Sequence, residues 1–338
     1  MRQISAVLLS VLFVGLGVGF LASGEGVPPG FGDGGAFSYG LGAPAIALGG
    51  AFVALADDSS GSYWNPAGTG HMRGYHVGGM YVPGVMSDVL GLDAAFQSLS
   101  LSATPVQTGS LSGLGIGLTW ANYTLSGTLD EQGGVLSDSD SRFLLSLSWA
   151  FGMGDWSLAT GANVKYYKHT TRAGAMTAGA DGFGFDVGVL LHGSLADIPV
   201  SFGFVSLDTL ETTLKWHGTP GEPLVYLPWV MKGGVSTSFF DGLLLLSSDL
   251  GYSISHLHDN TSARISFDSF HLGIEVTPIT QFVLRGGVVL SLGGRISLSA
   301  GVGLKPWENI TIDYAYVHAQ GGGLSTDKHV FSAEFSIP

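Results

Sequence analysis

Apolar residues alternate with small or polar residues along most of this chain. The clearest run covers residues 295–305, where the apolar positions are Ile296, Leu298, Ala300, Val302 and Leu304. A period of two residues predicts a β-strand with one apolar face. The same alternation recurs in residues 114–120, 183–191 and 331–337, so strands dominate the chain.

The residues between the apolar positions are mostly Gly, Ser and Ala, with an occasional charge. A soluble sandwich would also alternate, but its solvated face is normally rich in Lys, Glu and Thr. A face of small residues suits the crowded lumen of a barrel whose apolar face meets lipid. The pattern therefore favours a membrane barrel over a soluble sandwich.

Counting the alternating segments gives fourteen predicted strands. They lie near residues 74–83, 94–104, 113–124, 141–151, 156–169, 181–192, 199–208, 229–240, 243–254, 265–277, 281–290, 295–305, 310–319 and 328–337. About ten residues at ~3.3 Å each, tilted by ~40°, span the ~25 Å apolar band of an outer membrane. The fold class predicted is all-β, a transmembrane antiparallel β-barrel of about 14 strands.

The predicted connections alternate between short and long. Tight turns are expected at residues 152–155, 241–242, 278–280 and 306–308, and longer polar loops at 125–140, 170–180, 209–228, 255–264 and 320–327. Bacterial barrels have this asymmetry, with short periplasmic turns and longer extracellular loops.

Composition excludes several classes of function. Only 12% of the residues are charged, and the net charge of −13 argues against binding to nucleic acid, which requires a basic patch. The chain has no Cys, so disulfides, thiol catalysis and Cys-ligated metals are excluded. No spacing of Ser, His and Asp suggests a catalytic set, and we predict that the protein is not an enzyme.

The N-terminus has the pattern of an export signal. Arg2 is followed by the apolar stretch 4–21 and by small residues at 22–24, so we predict a signal peptide over residues 1–24. An uncleaved membrane helix is the alternative. No later apolar run reaches the ~18 residues of a spanning helix.

Residues 25–73 lack the alternation and form the second predicted unit, ahead of a barrel over residues 74–338. Within it lies ALADDSSGSYWNPAG, residues 54–68, a compact polar stretch in an apolar chain. Asp58 and Asn65 are good helix N-cap residues, and Pro66 suits the first position of a helix. Because irregular backbone is not tolerated in lipid, we predict that this segment is a plug of short helices inside the lumen.

The segment GLGAPAIALGGAFVALADDSSGSYWNPAG resembles the N-terminal hatch of the FadL-like outer-membrane transporters, and more closely that of their PorV/PorQ-type branch. The matching hatch residues are Gly49, Gly50, Asp57, Asp58, Trp64, Asn65, Pro66 and Ala67. The C-terminal region, with its Asp-Tyr-Ala-Tyr strand, matches more loosely. The chain departs from the family in ending on Pro338 instead of an aromatic residue.

The resemblance implies a plugged barrel in the bacterial outer membrane that passively transports or binds hydrophobic molecules such as long-chain fatty acids. In that family, cargo leaves the lumen sideways through a break in a strand. The PorV-like branch implies an alternative, a carrier or assembly component that binds secreted proteins in type IX-like secretion. The expected partners are therefore outer-membrane lipid together with either hydrophobic cargo or a secretion partner.

Charged residues at inward positions have two interpretations. A Lys or Arg on the lipid face would cost ~2–4 kcal/mol at mid-depth, so charges on strands are expected to face the lumen. By register these are Lys165, Asp186, Lys232, Asp249, Glu275, Arg285, Lys305, Asp313 and Glu334. They form either a paired network that braces plug and wall, with Asp57 bound to Lys165, Arg285 or Lys305, or a binding site for a cargo head group. Arg285 is the candidate for a carboxylate, because its planar fork can bind one in a bidentate manner.

Two further motifs carry no function that we favour. Residues 30–35 fit a dinucleotide-binding glycine pattern, but without the strand and helix that such a site needs. His256, His258 and Asp259 have ligand chemistry, but we favour a polar loop, because no third ligand has the spacing of a metal-binding motif. We predict no cofactor and no metal site.

Overall fold

The computed structural model describes residues 40–84, 93–108, 111–128, 135–173, 176–218, 221–255, 257, 263–291, 294–321 and 324–338. The predicted signal peptide, the first part of the predicted plug and the glycine motif at 30–35 lie outside these residues. So do His256, His258 and Asp259.

The described residues form sixteen strands in one antiparallel sheet. The strands are β1 (Gly74–Pro83), β2 (Asp93–Thr108), β3 (Leu111–Thr128), β4 (Val135–Met153), β5 (Trp156–Ala173), β6 (Met176–Leu195), β7 (Ile198–Leu207), β8 (Thr212–His217), β9 (Leu224–Leu227), β10 (Trp229–Phe239), β11 (Leu244–Ser255), β12 (Arg264–Ile279), β13 (Phe282–Ser291), β14 (Arg295–Trp307), β15 (Ile310–Gly321) and β16 (Leu324–Ile337).

Fourteen of these strands close into a barrel. Each pairs with its sequence neighbours, except that β7 pairs with β10, and β1 closes the ring on β16. Strands β8 and β9 form a hairpin that is not part of the ring and is joined to β6 at residues 179–181. The predicted fourteen-stranded antiparallel barrel is confirmed, and each predicted strand overlaps an observed one.

The predicted polar loops were wrong in three places. Strands β3 and β4 extend to Thr128 and Val135, β5 and β6 extend to Ala173 and Met176, and β15 and β16 leave only residues 322–323 between them. A fourth predicted loop, residues 209–228, contains the β8–β9 hairpin. Outside the lipid neither face of a strand has to be apolar, so the alternation ends although the backbone pairing continues.

The outer face of the barrel is apolar along the alternation predicted from the sequence. Phe183, Leu118 and Leu298 are exposed by 63%, 51% and 51%, although they are large apolar side chains. Their neighbours in the sequence point inward. A continuous exposed apolar surface around a closed barrel is the surface that meets lipid.

The plug consists of residues 40–73, which lie inside the barrel. It contains helix α1 (Ala43–Ala47), helix α2 (Gly61–Trp64) and a 3₁₀ helix (Pro66–Gly70). Most of its residues are buried against the wall, α1 on β13 to β16 and the 3₁₀ helix on β2 to β6.

None of the helices in the described residues is long and apolar enough to cross a membrane.

Glycines on the inner face of the wall let the plug backbone approach closely. A Cβ atom on Gly287 would collide with the backbone of Leu48 and Gly49, and one on Gly161 with the backbone of Pro66. The inward glycines at which a Cβ would collide with the backbone or a side chain of the plug lie on eight strands and are Gly78, Gly113, Gly115, Gly161, Gly188, Gly203, Gly273, Gly287 and Gly301. The small inner-face residues noted in the sequence therefore mark the level at which the plug contacts the wall.

The face assignment predicts different outcomes for neighbouring residues of β14. Leu298→Lys puts a charge on the lipid face and should cost about 2 kcal/mol, whereas Ser297→Lys points into the lumen and should cost far less. The measurement is the fraction of each variant that migrates as folded barrel on an unboiled gel. Equal yields of folded barrel for the two variants would contradict the assignment.

The close approach of plug and wall is testable on β13. Gly287→Ala should loosen the plug, because overpacking of this kind costs about 1–3 kcal/mol. Gly286→Ala is the control, since a Cβ there meets its nearest atom at 3.5 Å, an ordinary contact. Proteolysis within residues 40–73 should be faster for Gly287→Ala and unchanged for Gly286→Ala, and identical rates would refute the steric argument.

Candidate functional site

Asp249 holds the middle of the plug against the wall. Its Oδ2 atom accepts the backbone N–H groups of Phe52 at 2.8 Å and Val53 at 2.9 Å. The residue is 1% exposed. A carboxylate that accepts two backbone donors is a strong anchor, because hydrogen bonds to charged groups contribute more than neutral ones.

Glu334 makes a second anchor on β16. Its Oε2 atom accepts the N–H of Ser59 at 2.8 Å, and its Oε1 atom lies 2.9 Å from His76 Nδ1. The other ring nitrogen of His76 donates to the carbonyl oxygen of Arg73 at 2.8 Å. The carboxylate therefore joins the plug to both strands at the closure of the barrel.

The Asn-Pro-Ala motif starts the 3₁₀ helix and fixes it to the wall. Asn65 Oδ1 accepts the N–H of Ala67 at 3.1 Å, which is the cap predicted for this residue, and Pro66 occupies the first position. Asn65 Nδ2 donates to the carbonyl oxygens of Val53 at 2.9 Å and Val189 at 3.1 Å. One amide thus joins two parts of the plug and strand β6.

The two adjacent acids of the motif do not act as predicted. Asp58 caps no helix: its Oδ1 atom accepts the N–H and the hydroxyl of Ser60, at 2.8 Å and 2.6 Å, in a turn before α2. Burial and the nearby Glu334 carboxylate raise the pKa of Asp58 to about 8. Asp57 is exposed to the lumen, and among the described residues it forms no ion pair with Lys165, Arg285 or Lys305.

The remaining hatch residues shape the plug around Trp64. The indole N–H of Trp64 donates to the carbonyl oxygen of Leu41 at 2.8 Å. Gly49 and Gly50 have φ angles of +67° and +75°, and a Cβ on Gly50 would press against the Trp64 ring. Ala67 is fully buried in an aliphatic cluster on the wall.

Arg285 is paired within the wall. Its Nε atom lies 2.7 Å from Glu275 Oε2, and its Nη1 atom lies 2.7 Å from Asp313 Oδ1. Two carboxylates already engage the guanidinium, so the geometry favours the bracing interpretation over a carboxylate-binding site. Lys305 lies near the C-terminal end of β14, before the short turn to β15, and it is exposed.

Lys165 is the centre of a second ionic cluster, which lies beside the plug on β5. Its Nζ atom lies 2.6 Å from Asp186 Oδ1 and 2.9 Å from Asp208 Oδ1, and the Tyr167 hydroxyl donates to Asp208 at 2.6 Å. The sequence predicted Lys165 and Asp186 as inward charges but not Asp208, which follows β7 and has no alternation to place it.

Lys232 of β10 lies 3.7 Å from Asp268 of β12, two strands along the same wall. Among the described residues, no group of three or more His, Asp and Glu side chains is arranged to hold a metal ion.

A contiguous set of apolar residues lines one side of the lumen, and we call it the inner apolar cluster. Its wall residues belong to five adjacent strands, β15, β16, β1, β2 and β3, and its floor to the plug. The members are Leu41, Ala43, Ile46, Ala47, Met80, Val82, Ala94, Phe96, Ala121, Tyr123, Ala315, Val317 and Val330. A water-filled porin has a polar interior instead.

Sequence reasoning missed the inner apolar cluster. Its signal was the run Met80-Tyr81-Val82, in which both faces of the strand are apolar and the alternation disappears. Such a run predicts a strand that is buried on one side and lipid-facing on the other.

Among the described residues, the hydrogen-bonded wall is incomplete beside this cluster. The pairing of β1 with β16 ends at Tyr81 and Phe331, whereas β16 continues to Leu324. Among the described residues, Leu324–Val330 pair only with β15. Val82 and Val330 of the inner apolar cluster lie next to this open edge.

Comparison with solved structures shows the same fold in two hydrocarbon channels. The CymD monoaromatic hydrocarbon channel is 14% identical with a TM-score of 0.61, over 88% of this chain and 98% of that chain. The toluene transporter TodX of Pseudomonas putida is 13% identical with a TM-score of 0.59, over 88% and 98%. No family model and no curated protein matches the sequence. The shared fold is the plugged fourteen-stranded barrel that the resemblance to FadL-like transporters implied.

Proposed function

We propose that the protein lies in the bacterial outer membrane and passively conducts small hydrophobic molecules. The observation that carries the proposal is the inner apolar cluster above a plug that is bonded to the wall. Two proteins of the same fold also support the proposal, since one is described as a monoaromatic hydrocarbon channel and the other as a toluene transporter.

The path that we propose avoids the plug. The plug is hydrogen-bonded to residues around the wall, among them Asp249, Glu334 and Asn163, so it obstructs the axis of the barrel. An apolar molecule that enters the inner apolar cluster gains roughly 25 cal/mol for each Å² of surface removed from water. It then leaves sideways past the open edge of β16, between Val330 and the end of β1.

The ionic clusters favour neutral cargo over long-chain fatty acids. A fatty-acid carboxylate needs a free cation, and Arg285, Lys165 and Lys232 each have a carboxylate partner in the wall or the adjoining segment. Binding a second anion there would require breaking a partly buried ion pair, which is costly. A small neutral hydrocarbon requires no such exchange.

The alternative, a PorV-like carrier for secreted proteins, depends on long extracellular loops. The extended strands leave little length for such loops: residues 129–134 separate β3 from β4, and residues 174–175 separate β5 from β6. The β8–β9 hairpin is the largest such projection in the described part of the chain. The geometry therefore favours a conduit for small molecules.

The proposal predicts that a charge at the open edge blocks transport. Val330→Asp should reduce toluene flux into proteoliposomes at least tenfold, because an apolar molecule cannot compensate for a desolvated carboxylate. Val330→Ala is the matched control and should keep most of the flux, since it leaves the site apolar. Both variants must first show the folded band on an unboiled gel.

The proposal fails if folded Val330→Asp transports toluene at the wild-type rate, or if the wild-type protein transports none. Octanoate measured beside toluene tests the cargo class, and a clear preference for octanoate would reject neutral hydrocarbons as the substrates.

A further inference from the structure

The segment Asp208–Leu214, which we call the latch, enters the lumen. Phe183 and Phe185 of β6 are exposed on the lipid face, so Gly182 and Gly184 point inward. A Cβ on Gly182 would collide with the carbonyl oxygen of Thr213, and a Cβ on Gly184 would lie 2.8 Å from Asp208 Oδ1. The latch therefore covers the inner face of β6.

The latch is held in an unfavourable backbone conformation. Asp208, Leu210 and Glu211 have φ angles of +48°, +65° and +64°. Non-glycine residues rarely adopt this region, and such conformations persist where surrounding contacts enforce them. Three of them within four residues indicate a segment that is held in place by its partners.

Those partners converge on the Asp208 carboxylate. Its Oδ1 atom is bonded by Lys165, by the Tyr167 hydroxyl and by the Thr212 hydroxyl at 2.9, 2.6 and 2.7 Å. In the middle of the latch, Glu211 accepts the N–H of Leu257 at 2.9 Å, which ties the latch to the segment between β11 and β12. The latch thus joins two sides of the barrel wall.

Asp186 connects the latch to the plug. Its Oδ1 atom accepts the N–H of Asp208 at 2.9 Å, and its Oδ2 atom accepts Asn163 Nδ2 at 2.9 Å. The same Asn163 amide donates to the plug at Ser62 O, also at 2.9 Å. Three inward residues of β5 contact these segments in turn. Gly161 contacts the plug, Asn163 is hydrogen-bonded to the plug, and Lys165 is paired with the latch, so the plug and the latch follow one another along the lumen.

We infer that the latch is a second closure of the lumen, on the extracellular side, and that Asp186 and Asn163 couple it to the plug. Releasing the Asp208 carboxylate frees the latch and removes one restraint on the plug. By reciprocity, loosening the plug at Asn163 weakens the latch by the same factor. The inference rests on the proposed function only in treating the lumen as a conduit.

The test uses a single thiol, because the native chain has no Cys. Leu144 is an inward residue of β4 that is 4% exposed and is the register partner of Lys165, so Leu144→Cys places a reporter beside the latch. The rate at which a membrane-impermeant maleimide labels this thiol in proteoliposomes measures the closure.

Asp208→Asn in this background removes one charge and leaves the Lys165–Asp186 pair intact. Asn also tolerates a positive φ angle, so the backbone is not forced to change. We expect the maleimide to label the thiol at position 144 about tenfold faster. A change of this size corresponds to the loss of one hydrogen bond to a charged group. Asp181→Asn is the matched control, because its pair with His217 is half exposed and contributes little.

Gly184→Ala tests the same closure without changing a charge, since its Cβ would push against Asp208 and Thr212. Gly233→Ala is its control, because a Cβ there meets nothing within 4 Å. Wild-type labelling rates in both Asp208→Asn and Gly184→Ala would overturn the latch.

Hydrogen exchange of the plug amides tests the coupling. Asp208→Asn should speed exchange in residues 59–70, and Asn163→Ala should speed labelling at residue 144. Faster labelling with unchanged plug exchange would reject the coupling through Asp186.

None of these measurements needs cargo, so an absence of toluene flux in every variant would reject the proposed function and leave the latch standing.

Discussion

The structure depends on the close contact between the backbone of the plug and the backbone of the wall. At Gly161, Gly203 and Gly287 there is no room for even a methyl group between them. A plug with ordinary side chains at this level would need a wider barrel, and a wider barrel needs more strands. The number of strands and the small residues on the inner face are thus two results of one steric requirement.

Close backbone contact creates a second requirement, because the plug buries polar groups that its short helices leave unpaired. Wall side chains accept or donate in place of water: Asp249 and Glu334 accept plug N–H groups, and Asn163 and Ser299 donate to plug carbonyls. The inward charges on the strands are therefore explained first by the plug. The hydrophobic cargo that we propose would use a different surface, the inner apolar cluster.

The sequence could predict the features that lipid contact or local backbone geometry imposes, but not those that depend on contacts between distant residues. The outer face must be apolar at every second residue, so the strands were predictable from residues such as Leu118 and Leu298. The caps at Asn65 and Pro66 were predictable because they are local. The latch was not, since Asp208 meets Lys165 and Tyr167 only after the barrel has closed. The pairing of Arg285 with Asp313 likewise joins strands that no local pattern connects.

The closure between β1 and β16 also brings together distant parts of the chain, with the plug between them. The hydrogen bond from Ser59 to Glu334 joins residues 275 positions apart in the sequence, and contacts of such long range form late because chain entropy opposes them. Gly78 of β1 packs on Ser59, and β16 binds Ser59 through Glu334, so the seam between the first and last strands includes a contact with the plug. The enclosed segment thus stabilises the seam that closes the cylinder, because it contacts both of the strands that meet there.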